Sequence, residues 1–436
     1  MSKFIYPSNL YDIVEKRWIT KTHQNENFLP LPSKEVFNQI IDVAYHASFL
    51  TEEKRRIWFK VIYLSPEEFD EGKIINANSI RCIKFSKLRV FNQNELIKLA
   101  PAADPTQVLI ALSLFNNNLK IWGLLEAGTG WWDLRKHEAT IAPTPPNAFT
   151  ISSKSPGQIT ISRSGKTILA LSNGTIIETS SGVFKIRPVA NFLKWGAEKF
   201  RTDLRNLLQK EGIGFVEKVH FSGVDYSVFL ERVLNRIREK SHGGTLVIIP
   251  DEIDIDNKIL KERVIIKYSC QFDALNLLVK KKARDIMMTK TFTNISEKKE
   301  AIDQNQFSEY FSQLLKQEEA ANEVKRAAWF ISSLSAVDGA VIITDKLRLL
   351  GFGAELIADS KDLESVKIIT DFGKNLGENK KIELFGTRHR SAFRFCSSLE
   401  NAVAFIVSQD GDFRVAKRVR SEVCVWPILD GTALAF

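Results

Sequence analysis

Residues 243–249 read Gly-Gly-Thr-Leu-Val-Ile-Ile, and residues 338–344 read Asp-Gly-Ala-Val-Ile-Ile-Thr. Both runs become continuously apolar, which is typical of a strand that is buried on both faces of a sheet. Between them the spacing of apolar residues predicts a long amphipathic helix, with one side formed by Phe307, Phe311, Leu314, Val324, Ala328 and Ile331. Strands that alternate with helices predict an α/β layer fold for the C-terminal half of the chain.

The N-terminal half has a different pattern. Helical spacing after Ser33 predicts an amphipathic helix with apolar positions Val36, Ile40, Ile41, Ala44 and Ala47. Residues 159–177 contain short β-rich runs separated by Ser164-Gly165 and Asn173-Gly174, which predicts a meander of hairpins. A charged helical run to residue 210 is expected to connect the halves. The sequence therefore predicts an α+β domain over residues 1–210 and a second domain over residues 211–436.

Composition limits the classes of protein to which the chain can belong. A length of 436 residues predicts two domains, and 44% hydrophobic with 26% charged residues is typical of a globular protein. Apolar runs such as Val108–Leu114 are shorter than the roughly 18 residues of a membrane span. The first residues also lack the apolar core of a signal peptide. We therefore expect a cytoplasmic protein without a membrane partner.

The cysteines and the net charge narrow the partners further. The four cysteines have no paired spacing, which argues against a zinc site and a disulfide framework; they are Cys82, Cys270, Cys396 and Cys424. A net charge of +9 attracts polyanions, whether ATP, nucleic acid or anionic lipid. The chain has no helix-turn-helix, zinc-finger or RNA-recognition signature, so no nucleic-acid partner is expected. Charge alone leaves that alternative open.

Three segments of the C-terminal half carry candidate chemistry. The first is Asp338-Gly339-Ala340, where a carboxylate stands at the mouth of an apolar strand. Such a carboxylate is costly unless it holds a metal or a hydrogen bond. The glycine would let a ligand approach the backbone closely. By itself the tripeptide is weak evidence, and an ordinary Asp-Gly turn before a strand is the favoured interpretation.

The second segment is Gly386-Thr387-Arg388-His389-Arg390, which leads into a helix. With Thr387 as the N-cap, the backbone N–H groups of the first turn would form an anion site. The two arginines and the histidine would add charge-assisted donors for a polyphosphate. Basic residues in a first turn oppose the helix dipole unless an anion is bound, which favours a functional interpretation.

The third segment is Ser408-Gln409-Asp410-Gly411, which follows the apolar run at residues 402–407. Alone it is an ordinary hairpin turn. Together, however, the order and spacing of the three segments resemble the diadenylate cyclase family. Gly243-Gly244 and the strand after it look like the first core strand of that family. The resemblance covers roughly residues 222–420, and its second motif is the most specific one.

The N-terminal half resembles the DACNV type of sensor module, which precedes some of these cyclases. The resemblance is carried by the segment Leu99-Ala-Pro-Ala-Ala-Asp-Pro-Thr-Gln, by Ile121-Trp-Gly-Leu, and by Gly130-Trp131-Trp132. It does not identify the ligand of the module. Trp131 and Trp132 are also interpretable as core residues.

The resemblance implies a C-terminal domain with a mixed central sheet flanked by helices. It also implies condensation of two ATP molecules into cyclic di-AMP and two pyrophosphates, between face-to-face domains of a homo-oligomer, with Mg²⁺ or Mn²⁺. The implied catalytic residues are Asp338, Gly339, Arg388 and His389. The implied ATP-binding residues are Ala340, Gly353, Ile357, Gly386, Thr387, Arg390 and Ser408. The implied metal ligands are Asp338 and Asp410.

Two departures from the family pattern leave alternatives open. Val337 stands where some members have histidine, and Gln409-Asp410 replaces a pair of glutamates. A nucleotide-binding sensor without turnover therefore remains possible. So does cyclisation of another nucleotide pair, because base choice depends on the walls of the pocket near residues 350–357.

Overall fold

The computed structural model describes most of the chain, namely residues 5–20, 29–72, 80–128, 146–172, 174–177, 186–212, 224–239, 242–297, 304–358, 363–369, 377–408 and 413–428. The chain divides into two compact units, Met1–Gly182 with Leu429–Phe436 and Val183–Ile428. Each unit is mixed α/β and contains a mixed sheet. Among the residues described, no helix has both the length and the apolar character that crossing a membrane requires.

The first unit is built on an eight-stranded sheet of order β10-β9-β8-β7-β3-β5-β6-β4, with a separate β1–β2 pair. Its strands are β1 (Thr51–Glu52), β2 (Arg55–Arg56), β3 (Phe59–Tyr63), β4 (Arg81–Val90), β5 (Val108–Phe115), β6 (Asn118–Glu126), β7 (Phe149–Ser153), β8 (Gln158–Arg163), β9 (Lys166–Ser172) and β10 (Thr175–Ile177). Its α-helices are α1 (Tyr11–Thr20), α2 (Lys34–Ala47), α3 (Pro66–Asp70) and α4 (Gln93–Leu99).

Both sequence predictions for the first unit agree with these elements. Ser33 caps α2 by accepting a hydrogen bond from the backbone N–H of Val36, at 3.4 Å. The apolar side of α2 is buried against the sheet, as its spacing predicts. Strands β8, β9 and β10 pair in antiparallel order. Trp131 and Trp132 lie outside the described residues.

The second unit is built on a nine-stranded sheet of order β12-β14-β13-β11-β17-β18-β19-β15-β16. Its strands are β11 (Gly244–Ile249), β12 (Val264–Asp273), β13 (Ala340–Thr344), β14 (Arg348–Leu356), β15 (Ser365–Ile369), β16 (Gly377–Lys381), β17 (Val403–Val407), β18 (Phe413–Val419) and β19 (Glu422–Ile428). Its α-helices are α5 (Arg187–Lys210), α6 (Val224–Glu239), α7 (Lys258–Lys261), α8 (Ala274–Glu297), α9 (Gln304–Leu334) and α10 (Thr387–Ser398).

Helices cover both faces of this sheet. Strand β11 lies inside the sheet, parallel to β13 and antiparallel to β17, and its side chains are buried on both faces. Apolar residues of α5, α6, α8 and α9 form a core with one face. Residues of α10 form a second core with the opposite face. The predicted buried strands are therefore the middle of a three-layer arrangement.

Two expectations require correction. The helix at Arg187–Lys210 is not a connector that belongs with residues 1–186, because Phe192, Phe200 and Leu204 pack into the core of the second unit. The unit boundary accordingly falls at Gly182 rather than at residue 210. Only the C-terminal half of the predicted amphipathic face of α9 is buried. Its C-terminal positions such as Val324 and Ile331 are buried, whereas Phe307 and Phe311 are exposed.

Candidate functional site

The first predicted motif stands at the N-terminal end of β13. Asp338 is exposed and precedes the buried Ala340, the first residue of the strand. Gly339 has a φ of 119°, and a Cβ there would lie 2.5 Å from the carbonyl carbon of Gly353. Glycine is therefore required by the contact between this backbone and β14. The close approach of a ligand, which the sequence predicts for Gly339, is not needed to explain the glycine.

The second motif begins α10, although its cap differs from the prediction. Gly386, not Thr387, is the N-cap, and no side chain caps the helix. The Thr387 hydroxyl instead accepts a hydrogen bond from Arg390 Nη2, at 3.3 Å. Because no side chain caps the first turn, its backbone N–H groups can serve an anion. Arg390 therefore braces this turn, whereas the resemblance implies that it binds ATP.

Strand register brings the two motifs to the same end of the strands, which forms one edge of the sheet. Ala340 at the start of β13 is opposite Thr245 of β11, and Thr245 is opposite Ile406 near the end of β17. Two strand spacings amount to about 10 Å. Arg388 Nη1 donates to the carbonyl oxygen of Val407, at 3.4 Å. The side chain of Arg388 therefore reaches the same sheet edge at which Asp338 stands.

The other described residues of the predicted site lie along this edge. Strand β14 runs antiparallel to β13, so its C-terminal end, which includes Gly353, lies beside the start of β13. The exposed Ile357 follows that end, and its backbone N–H donates to the carbonyl oxygen of Arg263, at 2.9 Å. Ser408 follows β17 and is half-buried. Gln409 and Asp410 lie outside the described residues.

His389 differs from the exposed cation that the sequence suggests. Its side chain is only 8% exposed and lies near the rings of Phe385 and Phe393. Burial, with smaller contributions from Arg414 and Arg388, lowers the pKa of His389 to about 4. In the described part of the chain its Nε2 atom has no hydrogen-bond partner. His389 is thus a neutral group at pH 7, able to donate or accept a hydrogen bond but not to supply charge.

Two residues of this region were not predicted. Arg414 of β18 is opposite Ile406, and its guanidinium lies 5.2 Å from the ring centroid of Phe385. It adds a cation beside the start of α10. Its position between the buried Phe413 and Val415 could have indicated that it faces the other side of the sheet.

The second unpredicted residue is Tyr268 of β12. It is exposed and stacks on Phe352, with ring centroids 4.8 Å apart. The same ring lies 3.2 Å from where a Cβ on Gly353 would stand. The Tyr268 ring therefore borders the site. Nothing in the sequence distinguishes it from an ordinary strand residue.

The donor set fits a metal only together with a ligand. Among the residues described, no group of three or more acidic, histidine or cysteine side chains could hold an ion. Asp338 offers one exposed carboxylate at this edge. Mg²⁺ commonly binds one or two carboxylates together with substrate phosphates, and Asp338 suits that arrangement.

The comparison with protein families concerns the first unit. Residues 26–126 match the family model described as "Probable sensor domain DACNV", a range that runs through β6. The chain thus carries a sensor domain of this type. Two of the three segments on which the resemblance was based fall within the match, and Gly130-Trp131-Trp132 falls beyond it. No curated protein and no solved structure matched the chain.

Proposed function

We propose that the second unit is a diadenylate cyclase that condenses two ATP molecules into cyclic di-AMP and two pyrophosphates. The observation that supports this most directly is the convergence of Asp338 and Arg388 on one sheet edge. The motif resemblance supplies the reaction, and the DACNV match adds a sensor module of the kind found with such enzymes.

The proposed reaction is an in-line displacement at each α-phosphorus. The 3′-oxygen of one ATP forms a bond to the α-phosphorus of the other, and the bond from that phosphorus to the bridging oxygen breaks. The electron pair leaves with pyrophosphate, and the hydroxyl proton is released. Two copies of the domain must face each other, because each ATP is both nucleophile and electrophile. The protein's task is to align the reactants and to neutralise charge on the phosphate oxygens.

Each residue of the edge has a distinct part in this proposal. Asp338 orients the attacking hydroxyl, and Arg388 with the first-turn N–H groups of α10 holds the triphosphate. Ser408 lies where terminal phosphates would be placed. A bound Mg²⁺ or Mn²⁺ would lower the pKa of the hydroxyl and offset phosphate charge. His389 can contribute a neutral hydrogen bond.

The first unit is proposed to regulate this reaction. A sensor domain that shares a chain with an enzyme is useful if its ligand changes catalysis, and the match at residues 26–126 supplies such a domain. Regulation would act on the catalytic activity of the second unit.

The decisive experiment supplies the purified protein with mixed nucleoside triphosphates and Mn²⁺ or Mg²⁺, and identifies the product by mass spectrometry. We expect cyclic di-AMP. Asp338→Asn should reduce the rate by about two to three orders of magnitude, because one preorganised charge contact contributes about 3–4 kcal/mol in the transition state. Glu383→Gln is the matched control, since it removes an exposed carboxylate from the segment before α10.

Other outcomes would distinguish the alternatives. ATP binding without any product would favour the nucleotide-binding sensor, and a product with another base would favour a different nucleotide pair. Wild-type turnover by Asp338→Asn would contradict the assigned role. Specific activity should also fall on strong dilution if the facing domains associate weakly.

A further inference from the structure

A cleft of about 580 Å³ lies at the opposite end of the same sheet. Its walls come from the first turns of α5, the ends of β11 and β13, and the region around the β18–β19 turn. A volume of this size is within the range of small-molecule sites. Strands β13 and β18 therefore run between this cleft and the edge that bears Asp338.

Lys417 is the unusual residue of this cleft. It is only 6% exposed, and its Nζ atom has no hydrogen-bond partner among the described residues. Its Nζ atom lies 5.0 Å from the ring centroid of Phe192, and Cys396 and Glu400 favour its charge electrostatically. Burial lowers the pKa of Lys417, which indicates that this environment disfavours the ammonium charge. A buried ammonium without a partner costs free energy unless something pairs with it.

The remaining charges around the cleft restrict the ligand. Arg418 is engaged with the carbonyl oxygens of Arg420 and Ser397. Three carboxylates also line the cleft, those of Glu252, Asp345 and Glu400. Asp345 accepts a hydrogen bond from the backbone N–H of Asp251, and Glu252 pairs with Lys346. Lys417, Arg418 and Arg420 balance the three carboxylates, so the cleft has no net positive charge to attract a polyanion such as ATP, whereas a single negative charge can pair with Lys417.

An aromatic side chain completes the cleft. Trp195 lines it from α5 and is 69% exposed, which leaves a large flat surface open to solvent. An indole ring at such a position can stack on a planar group. Charge and ring together define a ligand with one anionic end and one flat apolar end.

We propose that this cleft binds a small aromatic monocarboxylate, whose carboxylate pairs with Lys417 and whose ring packs on Trp195. This site is separate from the proposed cyclase edge and does not depend on that function. Binding would give the Lys417 ammonium the partner that it lacks among the described residues.

The test measures binding to the full-length protein by calorimetry, with benzoate and indole-3-acetate as probes. Acetate, which lacks the ring, and benzyl alcohol, which lacks the charge, are the control compounds. Binding of the aromatic acids is also measured in Asp338→Asn and in the presence of ATP, to separate the cleft from the cyclase edge. We expect both aromatic acids to bind and each control compound to bind at least about tenfold more weakly, since a charge-assisted contact contributes about one order of magnitude or more.

Lys417→Met is the critical variant. It keeps an unbranched side chain but removes the charge, so it should fold, with a melting temperature at or above that of wild type. Its affinity for benzoate should fall at least about tenfold. Lys258→Met, which removes an exposed lysine that pairs with Glu262 in the same unit, should leave the affinity unchanged.

The proposal is overturned if neither aromatic acid binds at millimolar concentration, or if Lys417→Met binds benzoate as wild type does. Equal binding of acetate and benzoate, together with an unaffected Trp195→Ala variant, would overturn the ligand class.

Discussion

The imidazole of His389 couples the candidate site to acidity. With a pKa of about 4 in the folded protein and 6.5 when unfolded, the ring takes up a proton more readily in the unfolded chain between these values. Its burial therefore reduces stability as the pH falls through that window, and the full cost is present below pH 4. We expect the unfolding free energy to drop by about 3 kcal/mol from this residue alone.

Denaturant unfolding of the protein at pH 7 and at pH 4 measures this cost. His389→Asn should remove most of the residue's share of the pH dependence, whereas His46→Asn, at an exposed position, should retain it. An unchanged pH profile in His389→Asn would contradict the buried, neutral state.

Arg414 offers a second prediction at the residue scale. Its guanidinium contributes to the depressed pKa of His389, although burial contributes more. Arg414→Met should therefore move the folded-state pKa of His389 upward, part of the way towards 6.5. The same unfolding experiment measures the change, and a downward shift would contradict the geometry described here.

At the scale of the elements, Gly196 allows α5 to approach the sheet closely. A Cβ on Gly196 would overlap the carbonyl oxygen of Asp345 and lie 2.7 Å from the hydroxyl oxygen of Tyr226. That hydroxyl itself donates to the same carbonyl. We expect Gly196→Ala to lower the unfolding free energy by about 2 kcal/mol or more, despite the better helix propensity of alanine.

Gly386→Ala is the control for that substitution. A Cβ on Gly386 would meet no atom within 4 Å, and its φ of −63° suits alanine. Thermal unfolding should therefore separate the two variants clearly. Equal melting temperatures would show that α5 can shift away from Asp345 at little cost.

At the same scale, periodicity predicted the elements well wherever burial follows a simple repeat. The buried strands β11 and β13 and the helix that starts at residue 387 were all recognisable. The prediction of Thr387 as the N-cap of α10 was wrong because glycine and threonine are both good caps. The contact between Arg390 and Thr387 depends on side-chain geometry, which the sequence does not give. The assignment of α5 to the N-terminal domain was wrong because an apolar stripe on a helix does not indicate which core it packs against. Arg414 and Tyr268 reach the site through pairings between strands distant in sequence.

For the whole molecule, the unit boundary can be tested by truncation. The fragment 183–428 should unfold cooperatively, whereas the fragment 211–428 should not fold. The shorter fragment lacks the apolar side of α5, formed by Val189, Phe192, Leu193, Ala197, Phe200, Leu204 and Leu208. Burial of these side chains contributes about 10 kcal/mol or more, comparable with the entire net stability of a domain. Circular dichroism with thermal melts distinguishes the two, and a stably folded 211–428 would contradict the boundary.

The position of β11 between β13 and β17 has a consequence for biosynthesis. This strand is translated long before β13 and β17, which must flank it, and such non-local pairing slows folding. Until they are synthesised, a strand whose residues are all buried in the folded protein has both edges unpaired, which favours aggregation. The segments that contain Asp338 and Arg388 are therefore synthesised before the strands that bring them together have paired. Nascent chains arrested before residue 403 are expected to recruit chaperones, and chains extended beyond residue 428 to release them.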